Sequence, residues 1–220
     1  MISMHEYTEY TKLLIALLAI VNPFGAVPIF VALTSGSTVV ERKKIAQVVV
    51  IAVLAILYAA LLFGDWLLNF FGITIHSFSV GGGILILLMA ISMMQARVSP
   101  VAQTVDEARE GESKAREGES KVSMAVVPLA MPLLAGPGAI STIILYAHKD
   151  PGVTHYLGIG LDILIVGIAL WGIFQLVPWI SRHISQTGIN IFTRIMGLIL
   201  AAIAVEFFAA GLKGLFPALG

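Results

Sequence analysis

The chain has 220 residues, of which 58% are hydrophobic and 12% charged, with no net charge and no cysteine; its mean hydropathy is +0.96. That composition excludes an ordinary soluble domain and marks an integral membrane protein. Balanced charge leaves no nucleic-acid footprint, and the lack of cysteine excludes disulfides and thiolate metal sites.

A bilayer core of about 30 Å takes about 20 apolar residues as helix, and six stretches qualify: 10–34, 44–71, 74–96, 124–147, 154–180 and 190–215. The expected fold is therefore all-α, with six transmembrane helices. The first stretch is too long and too interrupted for the apolar region of a cleaved leader, so it is expected to be retained. Its centre, VNPFGAVPIF at 21–30, carries two prolines, a glycine and an asparagine. Proline removes a backbone donor and clashes with the preceding turn, and glycine weakens a helix further. A break near Pro23 is predicted, and backbone groups freed at that depth need protein or a hydrated cavity to satisfy them.

In the second stretch Asp65, within LFGDWLLNFFG, is expected at the outer interface beside Trp66, in a structural role. The triple glycine at 81–83 in the third reads as a surface for close helix approach. It is not a phosphate loop, because no strand–loop–helix context surrounds it. Next comes a charged segment, 97–123, in which AREGESK at 108–114 is repeated at 115–121. It reads as a cytoplasmic linker holding a tolerated tandem duplication. The fourth stretch opens with PLAMPLLAGPGAIST at 128–142, a second proline and glycine cluster around Pro137.

Asp162, within GIGLDILIVG of the fifth stretch, is expected closer to a membrane face, where it carries an ion or simply meets water. Glu206, within IAVEFFAAG of the sixth, is expected deep and buried, as a proton carrier, a partner for a substrate ammonium, or a structural hydrogen-bonding group. Trp66, Tyr146 and Trp179 are expected as interface-belt aromatics. The five histidines fall near termini or helix ends without metal spacing.

Arg42, Lys43 and Lys44 follow the first stretch, Arg97, Arg109, Lys114, Arg116 and Lys121 the third, and Arg182 and Arg194 the fifth. Only Lys12, Lys149 and Lys213 lie on the other side, which predicts cytoplasmic first, third and fifth loops and two periplasmic termini. Laid on itself at an offset of 114, the chain matches Pro23 with Pro137, Gly83 with Gly197 and Ala90 with Ala204, while Glu206 meets Ser92. With three helices per copy, the second copy must enter from the opposite face. The expected architecture is an inverted-topology repeat, 1–96 against 124–220 joined by the 97–123 linker, with helices 1 and 4 broken.

These breaks could hold one small zwitterion between two half-helices. Candidate substrate ligands are Asn22, Pro23, Gly25 and Ala26 at the first break and Gly136, Pro137, Gly138, Ser141 and Thr142 at the second; candidate coupling-ion residues are Glu206 and Asp162. Asn22 reads either as a ligand or as the cap of the downstream half-helix. Ser141 and Thr142 read as carboxylate ligands, or one of them as a cap.

NPFGAVPIF, VVPLAMPLLAGPGAIST, FSVGGGILILLMAISMM and QTGINIFTRIMGLILAAIAVEFFAAGLKGLFP together resemble the MarC family of six-helix membrane proteins, with the nearest likeness to YchE-type members. The resemblance spans the chain except for 97–123. The family takes its name from a link to multiple antibiotic resistance, and a related SnatA-type protein is described as a transporter of small neutral amino acids such as glycine and alanine. What the resemblance implies is a secondary transporter of that class in the bacterial inner membrane. No ATP-binding motif is present, so a proton or sodium gradient is the expected driving force, with no cofactor. Partners are the lipid bilayer and the amino acid, and the glycine-rich faces would also serve a homo-oligomer. The alternatives are export of other small molecules or drugs, and an intramembrane aspartyl protease using Asp65 and Asp162, whose GIGLD has one residue too many for a Gly-x-Gly-Asp motif.

Overall fold

Helices begin where the sequence supplies caps and stop where it supplies breakers. In a computed structural model of the chain, which describes residues 4–34, 36–95, 130, 134–216 and 218, those residues form seven helices and no strand. The first apolar stretch is two helices, α1 (Met4–Val21) and α2 (Val27–Leu33), separated at Asn22 and Pro23. Helix α3 (Val39–Phe70) opens on a capping box: the Thr38 hydroxyl accepts the Glu41 amide at 3.3 Å, and the Thr38 amide donates to the Glu41 carboxylate at 2.7 Å. Gly72, at φ +65°, turns the chain into α4 (Ile75–Met94), whose cap Thr74 accepts the Ser77 amide. Helix α5 (Pro137–Ala147) starts at Gly136 with proline in its first turn, where a missing N–H costs nothing. Helices α6 (Val153–His183) and α7 (Gln186–Leu215) complete the chain, the latter capped by Ser185.

Among the described residues α3, α4, α6 and α7 are each long and apolar enough to cross a membrane, and α5 is a shorter apolar helix. Of the fourth expected stretch only its end, from 134, and Ala130 are described. The 97–123 linker and its duplication lie outside the described residues.

Lipid tails are as apolar as leucine, so burial alone does not bring membrane helices together; close van der Waals packing does. The most extensive packing joins α4 to α7. There a Cβ added to Gly83 would stand 2.9 Å from both the Ala204 carbonyl oxygen and the Phe208 amide nitrogen. One on Gly197 would stand 3.0 Å from the Ala90 carbonyl oxygen and 3.1 Å from the Met94 amide. Gly83 and Gly197 therefore serve contact within the chain, whereas Gly81 faces open space. Elsewhere α3 packs on α6, α1 on α5, α6 and α7, and α5 on α3, α4 and α6. Leu13, Leu17, Phe30, Leu57, Ile86, Ile143 and Phe174 fill the interior, and Phe30 stacks on Phe174 with ring centres 4.3 Å apart. Large apolar side chains such as Phe63, Trp66, Leu157, Trp179 and Leu198 point outward, as a lipid-facing surface requires.

Candidate functional site

The first break is built around Asn22. Its amide donates to Leu18 at 3.0 Å, the last turn of α1, and its carbonyl accepts from Ala26 at 3.2 Å. Between those bonds its backbone sits at φ +44°, a left-handed conformation that asparagine tolerates better than most residues. The side-chain oxygen accepts the Gly25 amide at 3.2 Å. Gly25 leaves the Asn22 carboxamide its place, because a Cβ here would displace it. Asn22 thus caps the turn it forms, and its side-chain nitrogen donates to no described residue. Pro23 and Ala26 are buried, while Asn22 and Gly25 are half-buried.

At the second break the Ala135 amide reaches back five residues to the Ala130 carbonyl at 3.0 Å, a wide turn that precedes a fresh helix start. Gly136 caps α5 without a side chain, and the amides of Ala139 and Ile140 fold back on its carbonyl. The first turn of α5 therefore presents a positive dipole end inside the protein. The two breaks are neighbours: a Cβ on Gly138 would touch Ile20, two residues before Asn22, at 3.4 Å, and Met89 of α4 at 2.8 Å. The expected role of Ser141 or Thr142 as a cap is corrected by this geometry. Thr142 spends its hydroxyl on the Gly138 carbonyl at 2.8 Å, one turn back in its own helix. Ser141 is buried against Gly82 of α4.

Three further expectations change. Asp162 is only 5% exposed, and its Oδ2 has no hydrogen-bond partner, so it does not sit at a wet membrane face. The reason is helical phase: Asp162 lies one turn beyond Gly158, which packs on the Tyr10 ring of α1, and shares that inward face. Glu206 is exposed rather than buried, because Ala204 takes the face against α4 and two further residues turn the side chain well away from it. Tyr146 is only 7% exposed and is packed inside the protein rather than in an interface belt, whereas Trp66 and Trp179 are exposed.

Tyr146 is the group that sequence reasoning missed. Its carbonyl accepts from Nε2 of His155 at 2.9 Å, leaving Nδ1 to face the Tyr10 hydroxyl at 3.1 Å. Its ring packs on Phe207 of α7, centres 6.1 Å apart, and carries the Lys149 ammonium 4.1 Å from its centre. Lys149 also meets Glu9 at 2.6 Å, and that hydrogen bond holds the Glu9 carboxyl below the usual carboxylate range. A tyrosine one residue from the end of an apolar helix reads as an anchor; only the tertiary contacts separate the two cases.

Asp65 keeps the structural role expected of it, facing His148 Nδ1 at 2.9 Å and accepting from the Tyr156 hydroxyl at 3.4 Å. Asp162 is not among its partners. No group of three or more histidine, aspartate or glutamate side chains suited to a metal ion occurs among the described residues.

A family model described as MarC family integral membrane protein matches residues 7–216. The UPF0056 membrane protein YhcE of Escherichia coli is 40% identical over 97% of this chain and 96% of its own length. YvbG, a UPF0056 membrane protein of Bacillus subtilis, is 40% identical over 93% of this chain and 94% of its own. A UPF0056 membrane protein of Methanocaldococcus jannaschii is 38% identical over 90% of this chain and 93% of its own. None of these names carries a substrate. No solved structure matches.

Proposed function

The chain belongs to the MarC family of integral membrane proteins, and from that premise we propose that it is a secondary transporter of small neutral amino acids, of the glycine and alanine class, in the bacterial inner membrane. The observation that carries the proposal is the pair of adjacent helix breaks, Asn22–Ala26 and Gly136–Gly138, brought together through Ile20 and Gly138. Broken helices in corresponding halves are where such carriers place a midplane site.

The inverted repeat is part of the same reading and draws support from the packing. Gly83 against Ala204 and Phe208 is the same contact as Gly197 against Ala90 and Met94, read 114 residues on. By the same offset α5 corresponds to 23–33, so the contact of α5 with α3 pairs with that of α2 with α6. A pseudo-two-fold axis through the α4–α7 contact gives alternating access a natural pivot. In this reading the Asn22 side-chain nitrogen and the first turn of α5 take the substrate carboxylate, both termini are periplasmic, and a proton or sodium gradient drives uphill movement without a cofactor.

Asp65 is committed to His148 and Tyr156, which weighs against an aspartyl dyad with Asp162. Purified protein in liposomes, preloaded with unlabelled glycine or alanine, is expected to show saturable counterflow of the labelled amino acid. Folded protein that exchanges no small neutral amino acid would overturn the assignment.

A further inference from the structure

A groove of about 410 Å³ runs between the membrane-spanning helices α3 and α6. Leu61 and Leu62 of α3 and Leu157, Leu161 and Leu164 of α6 line it, with Tyr58 and Gly160 between them. The closest packing of the two helices lies further along α6: a Cβ on Gly167 would stand 2.7 Å from Leu54, whereas one on Gly160 would stand at an ordinary 3.4 Å from the Tyr58 ring. Only two lining side chains, Tyr58 and Tyr156, carry a polar group, and both hydroxyls are engaged. Tyr58 donates to the Gly160 carbonyl at 2.7 Å, and Tyr156 donates to Asp65 at 3.4 Å. A polar solute would lose hydrogen bonds to water and regain none from these side chains, whereas a run of methylenes has none to lose.

The dimensions narrow the occupant further. The groove begins at Val153, the first residue of α6, and reaches Leu164, about 16 Å along the helix. That is about half of the ~30 Å hydrocarbon core, the depth of a single leaflet. At the Val153 end the chain also places its charged groups, with Asp65 facing His148 at 2.9 Å and Lys149 pairing with Glu9. The groove is thus apolar along its length and polar at its outer end, as a bilayer lipid is.

We propose that the α3–α6 groove seats one acyl chain of a phospholipid from the leaflet at the α5–α6 end, with the headgroup beside the Asp65–His148 pair. Lipid tails are as apolar as the leucines, so the preference over neighbouring lipid comes from van der Waals packing in a preformed gap. The inference rests on the groove and not on the substrate of the carrier.

The test uses the full-length chain, purified in detergent and stripped of lipid, titrated with dioleoyl phosphatidylethanolamine and followed by thermal unfolding and native mass spectrometry. A saturable rise in Tm is expected, with one lipid retained per chain, and no rise with the dihexanoyl analogue, whose chains are too short to fill the groove. Leu161→Trp places an indole in the groove from a side chain already 57% exposed, and should raise the half-saturating concentration about tenfold or more. Leu157→Trp, at a lining position 69% exposed, blocks the groove independently should the first variant not fold. Ile168→Trp, 60% exposed on the same helix but outside the groove, should titrate as the wild type does. Lipid uptake that does not saturate, or that the groove variants and Ile168→Trp share equally, would reduce the seat to ordinary surrounding lipid and overturn it. Oleate matching the phospholipid at equal concentration would make the occupant a free fatty acid and overturn the phospholipid assignment.

Discussion

Asn22 performs two tasks with one carboxamide, and substitutions can separate them. Its oxygen closes the turn on the Gly25 amide while its backbone holds φ +44°. Asn22→Ala removes the bond and places a Cβ residue less suited to that conformation there, so it is expected to cost about 1–2 kcal/mol. Asn22→Gly relieves the conformational part and should recover much of the lost Tm. If the side-chain nitrogen holds substrate, Asn22→Gly will still show a raised half-saturating concentration in counterflow; a glycine variant that recovers both stability and affinity would confine Asn22 to the turn. The break itself was legible from Pro23 and Gly25, because proline and glycine act on their own turn. The facing of Glu206 was not, because an acid among apolar neighbours reads the same whichever side of the helix it occupies. Asp162 was misjudged for a related reason: sequence position suggests depth, but burial depends on which helix stands opposite.

Helix α4 tests the packing scheme with three adjacent glycines in unlike surroundings. A methyl group at Gly83 meets the backbone of α7 at 2.9 Å, and one at Gly197 meets the backbone of α4 at 3.0 Å. Backbone cannot rotate aside as a flexible side chain does, so the helices must part. Gly83→Ala and Gly197→Ala are each expected to lower stability by about 1–3 kcal/mol. Gly81→Ala meets nothing within 4 Å and should stabilise by about 0.5–1 kcal/mol through helix propensity. Thermal unfolding in one detergent compares all three, and a destabilised Gly81→Ala alongside neutral Gly83→Ala would contradict the α4–α7 contact. Long apolar runs made these helices legible to within a few residues of their ends. What the runs did not disclose is that a left-handed asparagine turns the first break, or that α5 is only 11 residues long.

The two ends of the molecule are held by different forces. Where α5 turns into α6, Glu9 meets Lys149, Asp65 meets His148 and Tyr10 meets His155. Near α2 the contacts are aromatic, with Phe30 on Phe174 and Phe24 on Phe192. Part-exposed ion pairs contribute little each and respond to salt and pH, whereas stacked rings do not. The proposed alternating-access carrier would need at least one end that parts at small cost, and the polar end fits that need. Glu9 gives the sign of its response. Its folded pKa lies below the ordinary value of about 4.3, so its contribution is complete above that value and disappears as pH falls through the lowered one. The Tm difference between wild type and Glu9→Gln should therefore be constant from neutral pH down to about 5 and close on further acidification. Screened by solvent, it should correspond to less than about 1 kcal/mol and shrink at high salt. A difference that widened in acid would mean that Glu9 is protonated in the folded chain, and the ion pair with Lys149 could not be what holds this end closed.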